Sequence, residues 1–192
     1  MNINKAIRKQ EKSNKRFLLT LCFIFFVLPL ILFLSGRFNI FLFIYLFVIE
    51  LLILIAIVIN INNNYLKYSV ENYKLKIKLK KFGESINILC DKVAMVFAEG
   101  KNSNMEIIII TTSKFRNKNI KPIDENLLKK YPYLAHKYYI IKKHHPENNY
   151  FYIIINKGGY HKYRLLDLIY KNCITAYYSE EAIERIKEYR VS

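Results

Sequence analysis

The residues of this chain that could do chemistry fall into three small sets. Lys74, Lys76, Lys78 and Lys80 alternate with Leu75, Ile77 and Leu79. A strand has a side-chain period of two, so the four ammonium groups share one face and the apolar residues the other. Such a row suits binding to a membrane surface, where each Lys held near an anionic leaflet contributes about 1 kcal/mol. It also suits a solvated edge strand, protected by charge against aggregation. The second set is Glu50, a lone carboxyl inside an apolar run. The third is His136, His144, His145 and His161, around which no Cys or acidic residue recurs at ligand spacing apart from Glu147, so no metal site is expected.

Motifs of covalent and phosphoryl chemistry are missing. There is no G-x-S-x-G, no H-E-x-x-H, no phosphate-cradling loop and no dinucleotide fingerprint, and the adjacent glycines Gly158-Gly159 stand in a turn. The expectation is a protein without enzymatic activity and without a cofactor. Cys22 lies in an apolar run, and Cys90 and Cys173 are far apart with no C-x-x-C spacing, so free thiols are expected. Tyrosines interleaved with lysines after Tyr131 could stack single-stranded bases. Tyrosine is equally a strand residue with one wet end. Nucleic acid is therefore a second alternative and not the expected partner.

Two long apolar runs must position these residues. Phe17–Leu34 has no charged residue, and an 18-residue helix spans roughly 27 Å, close to the thickness of a bilayer's hydrocarbon core. Ile40–Ile61 is interrupted only by Glu50, and Ser35–Asn39 forms a polar turn between the runs. Residues 17–61 thus read as a transmembrane helical hairpin. Residues 1–16 read as a basic arm, with Lys5, Arg8, Lys9, Lys12, Lys15 and Arg16. Lys67 and the lysine row follow the second span, while Arg37 alone lies between the spans. The positive-inside rule then places both termini in the cytoplasm of a bacterial cell. The formal net charge of +16 agrees with cytoplasmic retention and attraction to anionic headgroups.

An ionised carboxylate at mid-membrane is costly, roughly 2.5–3.5 kcal/mol for Asp on insertion scales. Pro29 removes the helical hydrogen bond to the Phe25 carbonyl four residues earlier. Phe25 and Glu50 lie 12 and 13 residues from Arg37, hence at nearly equal depth. A protonated Glu50 is expected to donate to the Phe25 carbonyl or to another copy of the protein, in which case the hairpin self-associates. Thr20, Cys22 and Tyr45 are too few to extend this into an ion path.

Residues 65–192 carry a β-domain. Tyr65–Val70, Tyr73–Lys80, Ser85–Phe97 (one strand bulged at Cys90-Asp91) and Met105–Thr112 read as strands, with turns at Glu71-Asn72, Gly83-Glu84 and Gly100–Asn104. A helical insertion near 120–134 starts at the N-cap Asp124 and ends or kinks at Pro132. Lys137–Lys143 and Tyr150–Asn156 are expected to form a hairpin across His144–Asn149. Tyr160–Leu166 reads as a further strand, and Asp167–Thr175 fits neither period. Ser179 caps a final helix with Glu180 and Glu181 first and Lys187 and Arg190 last, matching the helix dipole.

This order of elements resembles bacterial pleckstrin-homology-like domains behind a transmembrane hairpin. The resemblance covers Tyr65–Ser192 and rests on Tyr65–Val70, Tyr73–Lys80 and Ser85–Phe97 at one end and the Ser179–Tyr189 helix at the other. It implies an α+β membrane protein with a barrel or sandwich of about seven strands and a capping C-terminal helix. It further implies a membrane-anchored binding or assembly module for an unknown protein partner. A second resemblance, to membrane effectors of antiphage systems, implies a hairpin gated by a cyclic nucleotide. The Gly-x-Trp-like barrel start expected there has no counterpart in a chain without Trp.

Overall fold

The computed structural model describes residues 2–36, 39–81, 83–114 and 117–192. The centre of the predicted polar turn, Arg37 and Phe38, lies outside these residues. The first helix, α1 (Ile3–Leu34), joins the basic arm and the first apolar run without a break, and it continues through Pro29. The Asn2 side chain caps it, accepting from the Lys5 amide at 2.9 Å. The second, α2 (Ile40–Asn64), is capped by Asn39 and packs along α1. Both are long and apolar enough to cross a membrane, and their large hydrophobic side chains stay exposed, as lipid-facing residues would.

The arm therefore does not hang free. Ile3 and Ile7, one turn apart, are each 1% exposed and belong to the main core of the β-domain. The six basic residues of the arm hide this short apolar stripe from a reading by composition.

Three strands follow α2 as an antiparallel meander: β1 (Lys67–Glu71), β2 (Lys74–Lys78) and β3 (Ile86–Leu89). The β1–β2 turn centres on Asn72 and Tyr73, both at positive φ (50° and 58°), one residue beyond the expected place. The strand expected over Ser85–Phe97 is in fact two. A turn of 3₁₀ helix at Cys90–Lys92 separates β3 from β4 (Val93–Glu99), and the two belong to different sheets.

The second sheet has five strands. It contains β4, β5 (Glu106–Thr111) and β6 (Lys121–Pro122); then, after helices α3 (Glu125–Lys130) and α4 (Pro132–His144), come β7 (Phe151–Ile155) and, beyond helix α5 (His161–Asn172), β8 (Tyr177–Tyr178). The order is β6-β7-β5-β4-β8, antiparallel except where β8 joins β4. The last helix, α6 (Glu180–Arg190), starts at Ser179, whose Oγ accepts from the Ala182 amide at 3.2 Å, as the sequence predicts. One face of this sheet contributes Val96, Ile107, Ile109, Ile153 and Ile155 to a core shared with the meander, α5, α6 and the start of α1. The other contributes Met95, Phe97, Ile108 and Ile110 to a second core under α3 and α4.

The protein is thus α+β, with two apolar helices and two open sheets, and among the described residues its eight strands close no barrel. Two expected strands are helices. Lys137–Lys143 lies in α4, which begins at Pro132, where a proline's fixed φ and missing N–H are tolerated. Leu134, Tyr138 and Ile141 then form its inward stripe. His144–Asn149 consequently links a helix to β7 and is no hairpin tip. Tyr160–Leu166 runs into α5, whose inward positions include Lys162 and Asp167 beside Leu165, Leu166 and Ile169. Charges at buried positions broke the apolar period on which the sequence reading relied.

Candidate anion-binding face

The meander's register builds a small array on its outer face. Cross-strand partners share a face of a sheet, so Leu75 and Ile77 point inward with Tyr68, Val70, Ile86 and Ile88. Outward, Lys67 stands opposite Lys78, and Ser69 opposite Lys76, which is in turn opposite Asn87; Glu71 stands opposite Lys74. The Ile77–Ile86 pair, continued by one residue, brings Ser85 beside Lys78. A groove of about 560 Å³ lies here, lined by Tyr65, Lys67, Tyr68, Ser69, Glu71, Lys76, Lys78, Gly83 and Ser85.

The predicted lysine row therefore divides. Lys76 and Lys78 line the groove. Lys74 lies at its far end, paired in register with Glu71, and Lys80 is exposed beyond the end of β2. Lys67 was missing from the row. A turn at Glu71-Asn72 would pair it with Lys76, whereas the observed turn pairs it with Lys78; the Asn-Tyr dipeptide at positive φ was the available signal.

A polar seam holds this face relative to the hairpin. The loop after β7 meets both long helices through Gly158 and Gly159. The Gly158 amide donates to the Asn63 carbonyl of α2 at 3.0 Å. Gln10 of α1 accepts from the Tyr160 amide at 2.8 Å and donates to the Gly158 carbonyl at 3.4 Å. Gly158 has φ +94°, and a Cβ there would lie 2.5 Å from the Leu66 Cβ, so only glycine lets the loop approach so closely. Nearer the N-terminus, Asn4 donates to the Ser192 carbonyl at 3.0 Å and accepts from Arg164 at 3.1 Å. Glu11 meets His161 at 3.3 Å, where burial holds the imidazole pKa below its ordinary value despite the carboxylate.

Of the residues expected at mid-membrane, Glu50 and Phe25 are half-buried, but no hydrogen bond joins the Glu50 carboxyl to the Phe25 carbonyl among the described residues. Equal depth does not set the angle at which two groups face each other around their helices.

The structure also brings together residues the sequence kept apart. Cys90 and Cys173 are both buried free thiols, and burial, with Cys90 as a neighbour, pushes the Cys173 thiol well above the usual range. Lys162 is fully buried and donates to the carbonyls of Ser103 (2.9 Å) and Asn156 (3.1 Å), tying the β4–β5 turn to the end of β7. Burial pulls its ammonium down to about 8, with partial compensation from Glu106. Asp167 accepts from Arg190 at 2.7 Å and pairs with Lys171 at 2.6 Å; burial works against its charge, but these two bonds prevail and hold its pKa low. Lys162 and Asp167 thus have their partners within the chain. No family model, curated protein or solved structure matches this chain.

Proposed function

We propose that this protein is a membrane-anchored binding and assembly module without catalytic activity, lodged in a bacterial cell (inner) membrane with both termini cytoplasmic. In this reading the lysine face of the meander lies against the anionic headgroups of the cytoplasmic leaflet, and a protein partner docks on the rest of the domain. The observation that carries it is the seam. Because Ile3, Ile7, Gln10 and Gly158 fasten the β-domain to both long helices, the domain cannot swing freely, and its basic face keeps one attitude to the bilayer. Lys67 follows the end of α2 by three residues, at most about 11 Å of extended chain. At about 1 kcal/mol for each ammonium near the surface, several lysines together outweigh thermal reorientation. The pleckstrin-homology-like assignment rests on element order, with open sheets here in place of a barrel.

The test is the lipid that accompanies the purified full chain. The wild type should retain anionic phospholipid in excess of the bulk membrane, and the Lys74→Gln/Lys76→Gln/Lys78→Gln/Lys80→Gln variant should lose much of that excess. Identical lipid profiles for the two would overturn the reading.

A further inference from the structure

We infer that the groove between Lys67, Lys76 and Lys78 is a site for a phosphate group, specifically a phosphomonoester able to carry two negative charges. The inference rests on the reading that this face meets headgroups, and it names what the face selects. Three observations lead to it. Lys67 and Lys78 are direct cross-strand neighbours, and like charges placed so destabilise a sheet unless an anion lies between them. Lys76 follows in the next outward row, and no carboxylate stands in either row; Glu71 closes the groove one row further on. Ser69 and Ser85 flank the ammonium groups, and neither hydroxyl is engaged in a hydrogen bond among the described residues.

Charge and geometry point to the same ligand. Three ammonium groups and two hydroxyls surround a space of about 560 Å³, larger than a phosphate and able to admit what the phosphate is attached to. Lysine binds phosphate as a point charge, without the fixed fork of arginine, so the site reads charge more than shape. A monoester's second charge matches the Lys67–Lys78 pair, whereas a diester leaves one ammonium uncompensated. The phosphate can belong to a lipid headgroup or to a soluble molecule, and the experiment separates the two.

The full-length chain is placed in nanodiscs of phosphatidylcholine alone, or with phosphatidylglycerol or phosphatidate at equal mole fraction, and its thermal unfolding and bound lipid are measured. Phosphatidate should bind more tightly than phosphatidylglycerol. The Lys67→Gln/Lys78→Gln variant should lose about tenfold or more of that affinity, while Lys74→Gln/Lys80→Gln keeps it. Equal losses in the two variants would overturn the site and leave a diffuse basic face. Indifference of the wild type to every anionic lipid would overturn the face as well. If millimolar inorganic phosphate stabilises the wild type in neutral nanodiscs but not Lys67→Gln/Lys78→Gln, the site stands and its ligand is soluble. Cooperative unfolding of both variants in neutral nanodiscs without added phosphate, with Lys67→Gln/Lys78→Gln no less stable than the wild type because its opposed charges are gone, verifies that they fold.

Discussion

In β2, Lys-Leu-Lys-Ile-Lys, only Leu75 and Ile77 are fully buried, while Lys74 and Lys76 face outward. In β5, Glu-Ile-Ile-Ile-Ile-Thr, every residue from Ile107 to Thr111 is at most 1% exposed, because one face serves the core shared with the meander and the other serves the core under α4. The two sheets thus divide the labour. A sheet covered on both faces supplies stability and leaves little of its surface open. The meander gives up burial on one side and stands its like charges, Lys67 and Lys78, next to the end of α2; the five-stranded sheet has one like-charge pair of its own, Glu99 opposite Glu106, and there Glu106 is engaged by Lys130 and Tyr131.

The largest test of this division is in stability. Ile109→Ala should cost roughly 2–5 kcal/mol by denaturant unfolding of the full chain, since it opens a cavity in a close-packed core. Lys76→Gln should stay within about 0.5 kcal/mol, as exposed substitutions do. Comparable losses would dissolve the contrast. The seam between the two regions comes next. Gly158→Ala places a methyl against Leu66 at a φ that L residues avoid, and should cost roughly 1–3 kcal/mol in thermal unfolding. It should also expose the first turns of α1 to proteolysis ahead of global unfolding. A change in melting without that exposure would show that the loop matters to the sheet and not to the docking of α1.

A smaller effect sharpens what burial costs on the covered side. Lys162 holds its proton less tightly when folded, at about 8, than its ordinary 10.5. Between those values the unfolded chain binds more protons, so stability rises with pH; below about 8 both states are protonated and the penalty is complete. Tyr131 and Tyr163, whose pKa values burial raises, act in the opposite direction above about 10. Unfolding measured from pH 8 to 10 should therefore show a gain on the order of 1–2 kcal/mol that Lys162→Met abolishes. A wild type with no slope in this window would contradict the buried charge.

Much of this architecture is legible in the residues, and the failures have causes. The two apolar helices, the alternation of β2 and the Ser179 cap are strong local signals that tertiary packing did not override. The break at Cys90–Lys92 is invisible locally, because both flanks are good strands and only their membership of different sheets separates them. Helix α5 was hidden by Lys162 and Asp167, buried charges whose partners include Ser103 and Arg190, far along the chain. The candidate site was half legible. Lys76 and Lys78 followed from the period, but Lys67, Ser69 and Ser85 enter through strand register, which depends on the turn at Asn72-Tyr73. The docking of Ile3 and Ile7 needed the far side of the contact to be seen at all.

In the proposed attitude the meander's outer face lies against the headgroups, and α4, which covers the face of the five-stranded sheet opposite the core shared with the meander, stands away from them. Asn87 on the meander's outer face and Tyr139 on α4 are both exposed. Each can be replaced by Cys in a Cys22→Ser background and labelled with a fluorophore in bilayers containing anionic lipid and a headgroup-level quencher. The account predicts strong quenching at position 87, relieved by high salt, and little at position 139. Equal quenching at the two positions, or stronger quenching at 139, would contradict it.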